Sequence, residues 1–496
     1  MLAGVPNIRI ISMDRLQVTS SAALDALYAQ IYPALTNPLT SAEMQGGTFT
    51  PPPQPRIALS GTLDQAQSFF QREQLYMCGI PMTQWTDALP IIVPTEQKVA
   101  EMLTGTSHAP TETIYPYTRT GPHSYTEGTT PVAFQPMLWS ATVEKVAVNA
   151  VMAGCKPEHL PIILAIATSG VSTGTTTMWS EWEMVAGPIV GQVGMNFDIG
   201  VMDGQNIANA CIGRAYQLMA INLGGAQVGT NRMNTLGSPW NLGGVCLGEA
   251  PPVQYPSQTS PGPALPPGWL NMCQDKANYA ADESCVLVKM TGGDGGGFTG
   301  NQFAPSSYRA LQASGTGGLA HRILSPYGLY GQTPPPGKSY NWLLYLLPGL
   351  FANNWGSFDF LITPQMAMGL YQAGFTSKAM VYNWLWQNSF ATIDQYKNYG
   401  WWDFKTNSGK NTVPAYTSSN FQTTPIYPAP NFGPTYPTWP AGTTYNEVPS
   451  GGYLPTVNTP TSSLILVTGG GEEVSYEWFD EMGTTGANIT PIDPWR

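Results

Sequence analysis

Cys155, Glu158 and His159 lie close together in the sequence and carry side chains suited to covalent catalysis. A thiolate is a nucleophile, and a cysteine becomes reactive at neutral pH when a base is adjacent or when its pKa is lowered. We predict that Cys155 is the nucleophile or a ligand and that Glu158 or His159 transfers protons. The alternative is that Cys155 is a small buried packing residue, and that His159 faces solvent or completes a hydrogen bond in the core.

The elements that position this cluster are predicted to be two helices joined at Gly154, within residues 142–164. Apolar residues recur at helical spacing before Gly154, and Pro157 suits the first turn of the second helix. Cys155 would then lie at or just before a helix N-terminus. Free N–H groups and the positive end of the helix dipole favour a thiolate at such a position.

A further helix is predicted after Asp203, which could cap it, and is expected to end at Gly224 and Gly225. Its apolar stripe consists of Ile207, Cys211, Ala215 and Leu218. The other face carries amides, with a guanidinium beside it, and such groups can orient a carboxylate or another oxyanion. The alternative is a solvated face or a capping network. The predicted substrate-binding residues of this region are Asn196, Asn206, Asn209 and Arg214, to which we add Glu249 further along the chain.

Two glycine-rich segments, at residues 292–297 and 469–471, each follow a short apolar strand pattern. Ligands of α/β proteins often bind where strands end. Neither segment has the lysine of a phosphate loop or a GxGxxG that leads into a helix, so nucleotide binding is poorly supported. We predict close backbone packing around a small substrate at Gly293, Gly469 and Gly470, with tight turns as the alternative.

Strand and helix patterns alternate along the chain, which predicts an α/β fold with long loops rich in proline, glycine and aromatic residues. The repeated strand–glycine-loop unit suggests an internal duplication. The expected organisation is a loop-rich extension over residues 1–90, a first α/β unit over 91–300 and a second over 301–496. The aromatic and proline-rich insertion at 405–460 is long enough to be a lid, a binding element or an interface arm.

Local signals predict individual helices and strands. A short helical pattern covers residues 22–32, and Thr95 is predicted to cap a helix whose body is 98–103. Within residues 358–389 a strand pattern is followed by two helices; Gly374 is expected to end the first, and Thr376 or Ser377 to cap the second.

The chain has 496 residues and a net charge of −11, which makes nucleic acid or an acidic membrane surface an unlikely partner. Only 10% of the residues are charged and 11% are aromatic, as is typical of surfaces covered by other subunits, so we predict a homo-oligomer. No basic and apolar signal segment or run of ~18 apolar residues is visible, and the expected location is the cytoplasm.

The six cysteines include no CxxC pair, and the four histidines are scattered, so no metal site is predicted. Oxygen ligands such as Asp198, Asp203 or Asp294 could still hold a hard cation. One disulfide, for example between Cys273 and Cys285, is compatible with the sequence, but the spacing does not establish it. The cofactor content stays open.

Five blocks of the sequence resemble the bacterial UGSC-type family, which is named for a Sec/Cys-Gly-Ser-Cys motif. They are PTEQKVAEMLTGT, TVEKVAVNAVMAGCKPEHLP, the region from AGPIVGQVGMN to NIANACIGRAYQLMAINLGGAQVG, TPQMAMGLYQAGFTSKAMVYNWLWQ and the weaker LILVTGGG. The resemblance runs from about residue 90 onward, with large unmatched insertions. It implies an α/β fold and a multi-subunit enzyme, with no settled reaction.

The chain departs from the family pattern at three points. It contains no Gly-Ser-Cys, so it resembles the half that lacks the redox motif. Similar sequences have an acidic run after the position of Cys246, of which this chain keeps Glu249, and commonly a histidine where this chain has Met366.

We expect an enzyme subunit of the lyase, hydratase or hydrolase type that acts on a carbon–heteroatom bond of a small molecule, which could be aromatic. One alternative is a redox subunit that works with a separate thiol or selenol partner, so a second subunit type is a further expectation. The other alternative is a non-catalytic assembly or binding protein with a degenerate site.

Overall fold

The structure, a computed structural model of the chain, describes residues 11, 20–41, 56–75, 79–170, 180–232, 244–252, 264–291, 358–372, 375–388, 390–393, 440, 442–455, 464–470, 476–480 and 488–496. The chain divides into two compact units, Met1–Thr62 and Leu63–Arg496. In the first unit, helix α1 spans Ser21–Thr36, and the hydroxyl of Ser20 accepts a hydrogen bond from the N–H of Ala23. The predicted helix at residues 22–32 is thus found, with one further turn.

The second unit contains both helices and strands, as the α/β prediction requires. Its helices are α2 (Leu63–Phe70), α3 (Glu96–Leu103), α4 (Val143–Ala153), α5 (Leu160–Ala167), α6 (Ile189–Gln192), α7 (Ile207–Asn222), α8 (Met272–Ala277), α9 (Pro364–Gln372) and α10 (Lys378–Asn388). Its strands are β1 (Glu73–Leu75), β2 (Pro81–Thr83), β3 (Tyr117–Gly121), β4 (Ser124–Glu127), β5 (Ser180–Ala186), β6 (Cys246–Gly248), β7 (Cys285–Thr291), β8 (Phe358–Ile362), β9 (Phe390–Thr392), β10 (Tyr453–Pro455), β11 (Leu464–Val467), β12 (Tyr476–Asp480) and β13 (Asn488–Pro491).

Two sheets organise this unit. The first has the strand order β13-β7-β5-β6, in which β5 and β6 are parallel and the other neighbours are antiparallel. The second has the order β11-β8-β12, in which β8 is parallel to β11 and antiparallel to β12. Strand β13, from the predicted second α/β unit, completes the sheet of the predicted first unit, so the two predicted units share a sheet.

The alternation of side chains along the strands places a separate core on each face of the four-stranded sheet. On one face, Val185 and Val286 pack against the helices α4, α5 and α7. On the other face, Met184 and Leu287 pack against Leu466 of the three-stranded sheet. Helix α5 is buried along its whole length, which its sequence LPIILAIA explains.

Local signals fix most helix ends, and one prediction at a helix start is wrong. Thr95 caps α3 as expected, because its hydroxyl accepts a hydrogen bond from the N–H of Lys98. The cap of α7 is Asn206, whose side chain accepts from the N–H of Asn209. Asp203 lies instead in the preceding turn, where its N–H donates to the carbonyl of Gly200. Gly204 and Gln205 separate it from the helix, so its carboxylate is too early in the chain to cap α7.

A disulfide and the buried turn Asp493–Trp495 each join separate segments of the second unit. Cys273 in α8 and Cys285 in β7 form a disulfide, which realises the pairing that the sequence left open. The last turn, Asp493–Trp495, buries Trp495 completely in the helical core. The hydroxyls of Thr106 and Ser107 donate to the carbonyls of Trp495 and Arg496, both at 2.6 Å. None of the helices in the described ranges combines the length and apolar character that a membrane crossing requires.

Candidate functional site

Cys155 lies just beyond the C-terminus of α4 and two residues before a short helical turn, so the helix expected to start at Pro157 is found there only as that turn. Gly154 has the left-handed φ of 87°, and the N–H of Cys155 donates to the carbonyl of Ala150 at 3.0 Å, as in a Schellman motif. The short turn Pro157–His159 follows, and α5 begins only at Leu160. Because the C-terminal end of a helix carries the negative pole of its dipole, α4 disfavours a thiolate at Cys155.

Glu158 and His159 do not converge on Cys155, although they are close in sequence. His159 is buried, and its Nδ1 lies 3.2 Å from the N–H of Lys156, from which it accepts. Burial lowers the pKa of His159, which favours the neutral ring. Glu158 is half-exposed, and its carboxylate lies 3.8 Å from the ammonium of Lys156. The predicted catalytic trio therefore has separate partners.

Cys155 and Cys211, on α7, are neighbours whose thiols influence each other's pKa through a hydrogen bond. Helix α4 packs against α7. A Cβ atom added at Gly154 would lie 3.6 Å from Sγ of Cys211. Both cysteines are partly exposed, so the pair borders the surface.

The hydrogen bond between the two thiols shifts their pKa values in opposite directions. The bond from Cys155 lowers the pKa of Cys211 to about 7, with burial opposing and the positive charge of Arg214 assisting. Burial, together with the bond and charge of Cys211, raises the pKa of Cys155 well above its ordinary value. Burial also raises the pKa of Cys246, the third free cysteine among the described residues. Cys211 is therefore the thiol that ionises near neutral pH.

Arg214 is held in place next to this pair by Asp87. Its Nε and one terminal nitrogen donate to the two carboxylate oxygens of Asp87, both at 2.9 Å. The same guanidinium donates to the carbonyls of Leu89 and Pro90, at 3.3 and 2.9 Å. Arg214 follows Cys211 by three residues, which places the two on one face of α7. Its position suits an electrostatic effect on the thiols more than the predicted contact with an oxyanion.

Exposed apolar side chains border the thiol pair. Cδ1 of Ile92 would lie 3.7 Å from a Cβ at Gly154, the same point that is 3.6 Å from the Cys211 sulfur. Ile207 precedes Cys211 by one helical turn, and 55% of its surface is exposed. The predicted apolar stripe is therefore confirmed at Ala215 and Leu218, which are buried together with Ala208 and Ile212, and it is wrong at Ile207.

The three predicted asparagines form a network that fixes the loop before α7. Oδ1 of Asn209 accepts from the N–H of Asn196 at 2.8 Å, and its amide donates to the carbonyl of Asn196 at 3.1 Å. The Asn206 amide donates to the carbonyl of Gly194 at 3.0 Å, and that of Asn196 to Ile199 at 3.0 Å. Asn209 is buried. This arrangement corresponds to the capping network that was the alternative interpretation.

Glu249 lies where strands of the two sheets end. Its Oε1 lies 2.8 Å from the ammonium of Lys378, and its Oε2 accepts from the N–H of Met272 at 2.7 Å. The Glu249 and Lys378 side chains are 0% and 1% exposed, so the ion pair is fully buried. The N–H of Ala250 donates to the carbonyl of Val467 at 2.7 Å, which links the end of β6 to β11.

The glycines predicted to contact substrate have different positions. Gly469 follows β11 with a left-handed φ of 81°, and its N–H donates to the carbonyl of Phe197 at 3.1 Å. Gly470 is next to it, partly exposed. Gly293 lies outside the described residues, as do the loop 292–297 and the insertion up to residue 439. The described residues contain no cluster of three or more His, Cys, Asp or Glu side chains that could hold a metal ion.

The sequence prediction missed three residues that the structure brings into these sites: Cys211, Asp87 and Lys378. Cys211 was assigned to the apolar stripe, although a second cysteine on a helix already considered functional was a usable signal. Lys378 opens a helix next to a predicted cap, and no local pattern indicated that it would be buried. Comparison with protein-family models, curated proteins and solved structures finds no match to this chain.

Proposed function

We propose that this protein is an enzyme that acts on a carbon–heteroatom bond of a small molecule through the thiolate of Cys211. The observation that carries the proposal is the position of Cys211, whose sulfur lies 3.6 Å from the Cβ position of the residue before Cys155 and whose pKa a hydrogen bond with Cys155 lowers to about 7. The pairing gives Cys211 the role that the sequence prediction assigned to Cys155. Glu158 and His159 have other partners and are not part of this proposal.

The chemistry follows from the state of the two thiols. Cys211 attacks an electrophilic carbon, and a carbon–sulfur bond forms while the carbon–heteroatom bond breaks, with its electron pair leaving on the heteroatom. Water then adds its hydroxyl to the carbon, protonates the leaving heteroatom and releases Cys211. The Cys155 thiol stays protonated because its pKa is high, and it donates its hydrogen bond to the Cys211 thiolate.

The surroundings of the pair favour an apolar small molecule as the substrate. Ile92 and Ile207 present exposed apolar surface next to Cys211. The Arg214 guanidinium is paired with Asp87, which weakens its attraction for an anionic substrate. An apolar or aromatic electrophile matches these neighbours better than a charged one.

Alkylation by iodoacetamide as a function of pH tests the nucleophile, in a Cys78→Ser background with peptide mapping. We expect labelling of Cys211 with a midpoint near 7. Cys155→Ala removes the hydrogen bond. The midpoint of Cys211 labelling should then move toward ~8.5, and the labelling rate of Cys211 at neutral pH should fall on the order of tenfold. Cys155→Ser keeps a donor and should restore part of the rate, while Cys246→Ser should behave like the parent. Labelling of Cys211 only after denaturation would refute the proposal.

A pair of matched electrophiles tests the substrate class. Chloroacetamide and its N-phenyl derivative carry the same reacting carbon, and each rate is divided by the rate with free cysteine. We expect a preference for the phenyl compound that Ile207→Asn reduces, while Leu75→Asn, a change of another exposed apolar residue, leaves it unchanged. No preference, or equal loss in both variants, would contradict an apolar binding surface at Ile207.

Two further proposals concern the family of this chain and its internal repeat. We propose a relation to the UGSC-type family on the five sequence blocks, and an internal duplication that the sheet topology supports. In each sheet a central strand, β5 or β8, has a later parallel neighbour, β6 or β11, and a still later antiparallel neighbour, β7 or β12. The equivalent of β11 is then β6, and not β7 as the glycine-loop pattern indicated.

We propose a homo-oligomer, since large apolar side chains such as Leu63, Leu75 and Leu138 are exposed. Sedimentation of the purified chain tests it, and a monomer at micromolar concentration would contradict it. A cytoplasmic location also remains a proposal. The Cys273–Cys285 disulfide weighs against it, because the cytosol keeps most thiols reduced.

A further inference from the structure

We infer that Cys155 and Cys211 close reversibly into a disulfide by thiol–disulfide exchange with a small disulfide such as oxidised glutathione, which gives this protein a redox activity or switch at its thiol pair. The inference rests on the proposed function in one respect, namely that Cys211 is the attacking sulfur. It goes beyond that function because it uses both thiols and transfers two electrons.

The geometry brings two free cysteines together from separate parts of the chain. Cys155 follows the end of α4 and Cys211 lies in the second turn of α7, with its Sγ 3.6 Å from the point where a Cβ of Gly154, the residue before Cys155, would lie. The Cys211 sulfur therefore lies next to the backbone that precedes Cys155, where Gly154 has a left-handed φ of 87°.

The surroundings favour one order of events. The thiolate is the attacking species in exchange, and Cys211 is the thiol that ionises near neutral pH. Cys155 remains protonated next to it, in the position of a resolving thiol. Cys246 is buried on β6, and burial raises its pKa, so it is a poor competitor in the exchange.

The exchange balances in two steps. The Cys211 thiolate attacks one sulfur of the small disulfide, the disulfide bond breaks, and one thiolate leaves and takes up a proton. The Cys155 thiol then loses its proton to the second leaving thiolate as its sulfur attacks that of Cys211. Two protein thiols are oxidised to one disulfide, and one small disulfide is reduced to two thiols. The reverse sequence, with an excess of small thiol, restores the pair.

Oxidised glutathione and intact-mass spectrometry test the inference, with peptide mapping in the Cys78→Ser background. The wild-type pair should lose two hydrogen atoms, retain no glutathione, and yield a peptide that links Cys155 to Cys211. Iodoacetamide labelling of Cys211 should disappear after oxidation and return with dithiothreitol. Cys155→Ser should stop at one glutathione on Cys211, and Cys211→Ser should react slowly or not at all. Cys246→Ser should form the same link as the parent.

The failures of the two proposals are distinguishable. A wild-type protein that keeps glutathione on Cys211 without closing would overturn the inference and leave Cys211 as a nucleophile. A link that involves Cys246 would overturn it as well. A Cys211 that reacts with neither glutathione disulfide nor iodoacetamide in the folded protein would overturn both proposals.

Discussion

Replacing Glu249 with glutamine should destabilise the second unit by about 3–5 kcal/mol, because it leaves the ammonium of Lys378 buried without a counter-charge. The two side chains are 0% and 1% exposed, and the charged atoms are 2.8 Å apart. At such burial water cannot replace the lost carboxylate. Glutamine keeps an oxygen for the N–H of Met272, which the carboxylate accepts from at 2.7 Å. The loss therefore measures the unpaired charge more than a missing backbone partner.

The double variant Glu249→Gln/Lys378→Met separates this explanation from a general packing defect. Methionine has nearly the length of the lysine chain and carries no charge, so the double variant should recover most of the stability that Glu249→Gln loses. Lys378→Met alone leaves a buried carboxylate and should also cost about 3–5 kcal/mol. The sum of the two single-variant losses should exceed the loss in the double variant by more than about 2 kcal/mol, as expected for residues in contact.

Denaturant unfolding monitored by tryptophan fluorescence measures these losses, with the rate of Cys211 alkylation at neutral pH as the control for a native thiol site. Single-variant losses below about 1 kcal/mol, or losses that simply add, would refute the buried-pair reasoning. Such a result would favour the prediction from sequence that Glu249 binds substrate.

Two other predictions concern an ion pair and the disulfide. The ion pair joins Arg119, in the β3–β4 hairpin, to Glu283, which lies just before β7 in the first sheet. Burial alone would raise the pKa of Glu283, but hydrogen bonds led by that of Arg119 outweigh it and lower the pKa from 4.5 to about 2. The stability that these bonds contribute, up to about 3 kcal/mol, is complete above pH 4.5 and is lost as the pH falls toward 2. Glu283→Gln should flatten the dependence of the urea midpoint on acid pH, and an unchanged slope would contradict this. Cys273→Ser with Cys285→Ser should cost about 3 kcal/mol and match the unfolding of the dithiothreitol-reduced parent. A parent whose midpoint does not respond to reduction would contradict that estimate.

The sequence predicted those parts of the fold that depend on neighbouring residues. The cap at Thr95, the break at Gly154 and the strands Cys285–Thr291 and Leu464–Val467 all follow from short-range rules, and all are found. The same rules placed a strand before two helices near residue 360, as β8, α9 and α10 confirm.

The sequence could not predict contacts between distant segments. Helical periodicity identifies the faces of α4 and α7, but it does not say that the end of one meets the second turn of the other. The contact of Cys155 with Cys211 and the burial of Lys378 against Glu249 both depend on such tertiary choices. Gly154 ends α4 as predicted, but Pro157 opens only a short turn, Pro157–His159, and α5 begins at Leu160, so the helix N-terminus expected next to Cys155 is reduced to that turn.

The final turn that buries Trp495 has a consequence for the synthesis of this protein. Thr106 and the carbonyl that it binds are 389 residues apart in the chain. At about 5–20 residues per second, a ribosome needs on the order of 20–80 s to make that span. Throughout that time the apolar surface that Trp495 later covers is open to other nascent chains. We expect folding of the second unit to finish only after translation has reached this turn, and newly made chains to depend on a chaperone until then.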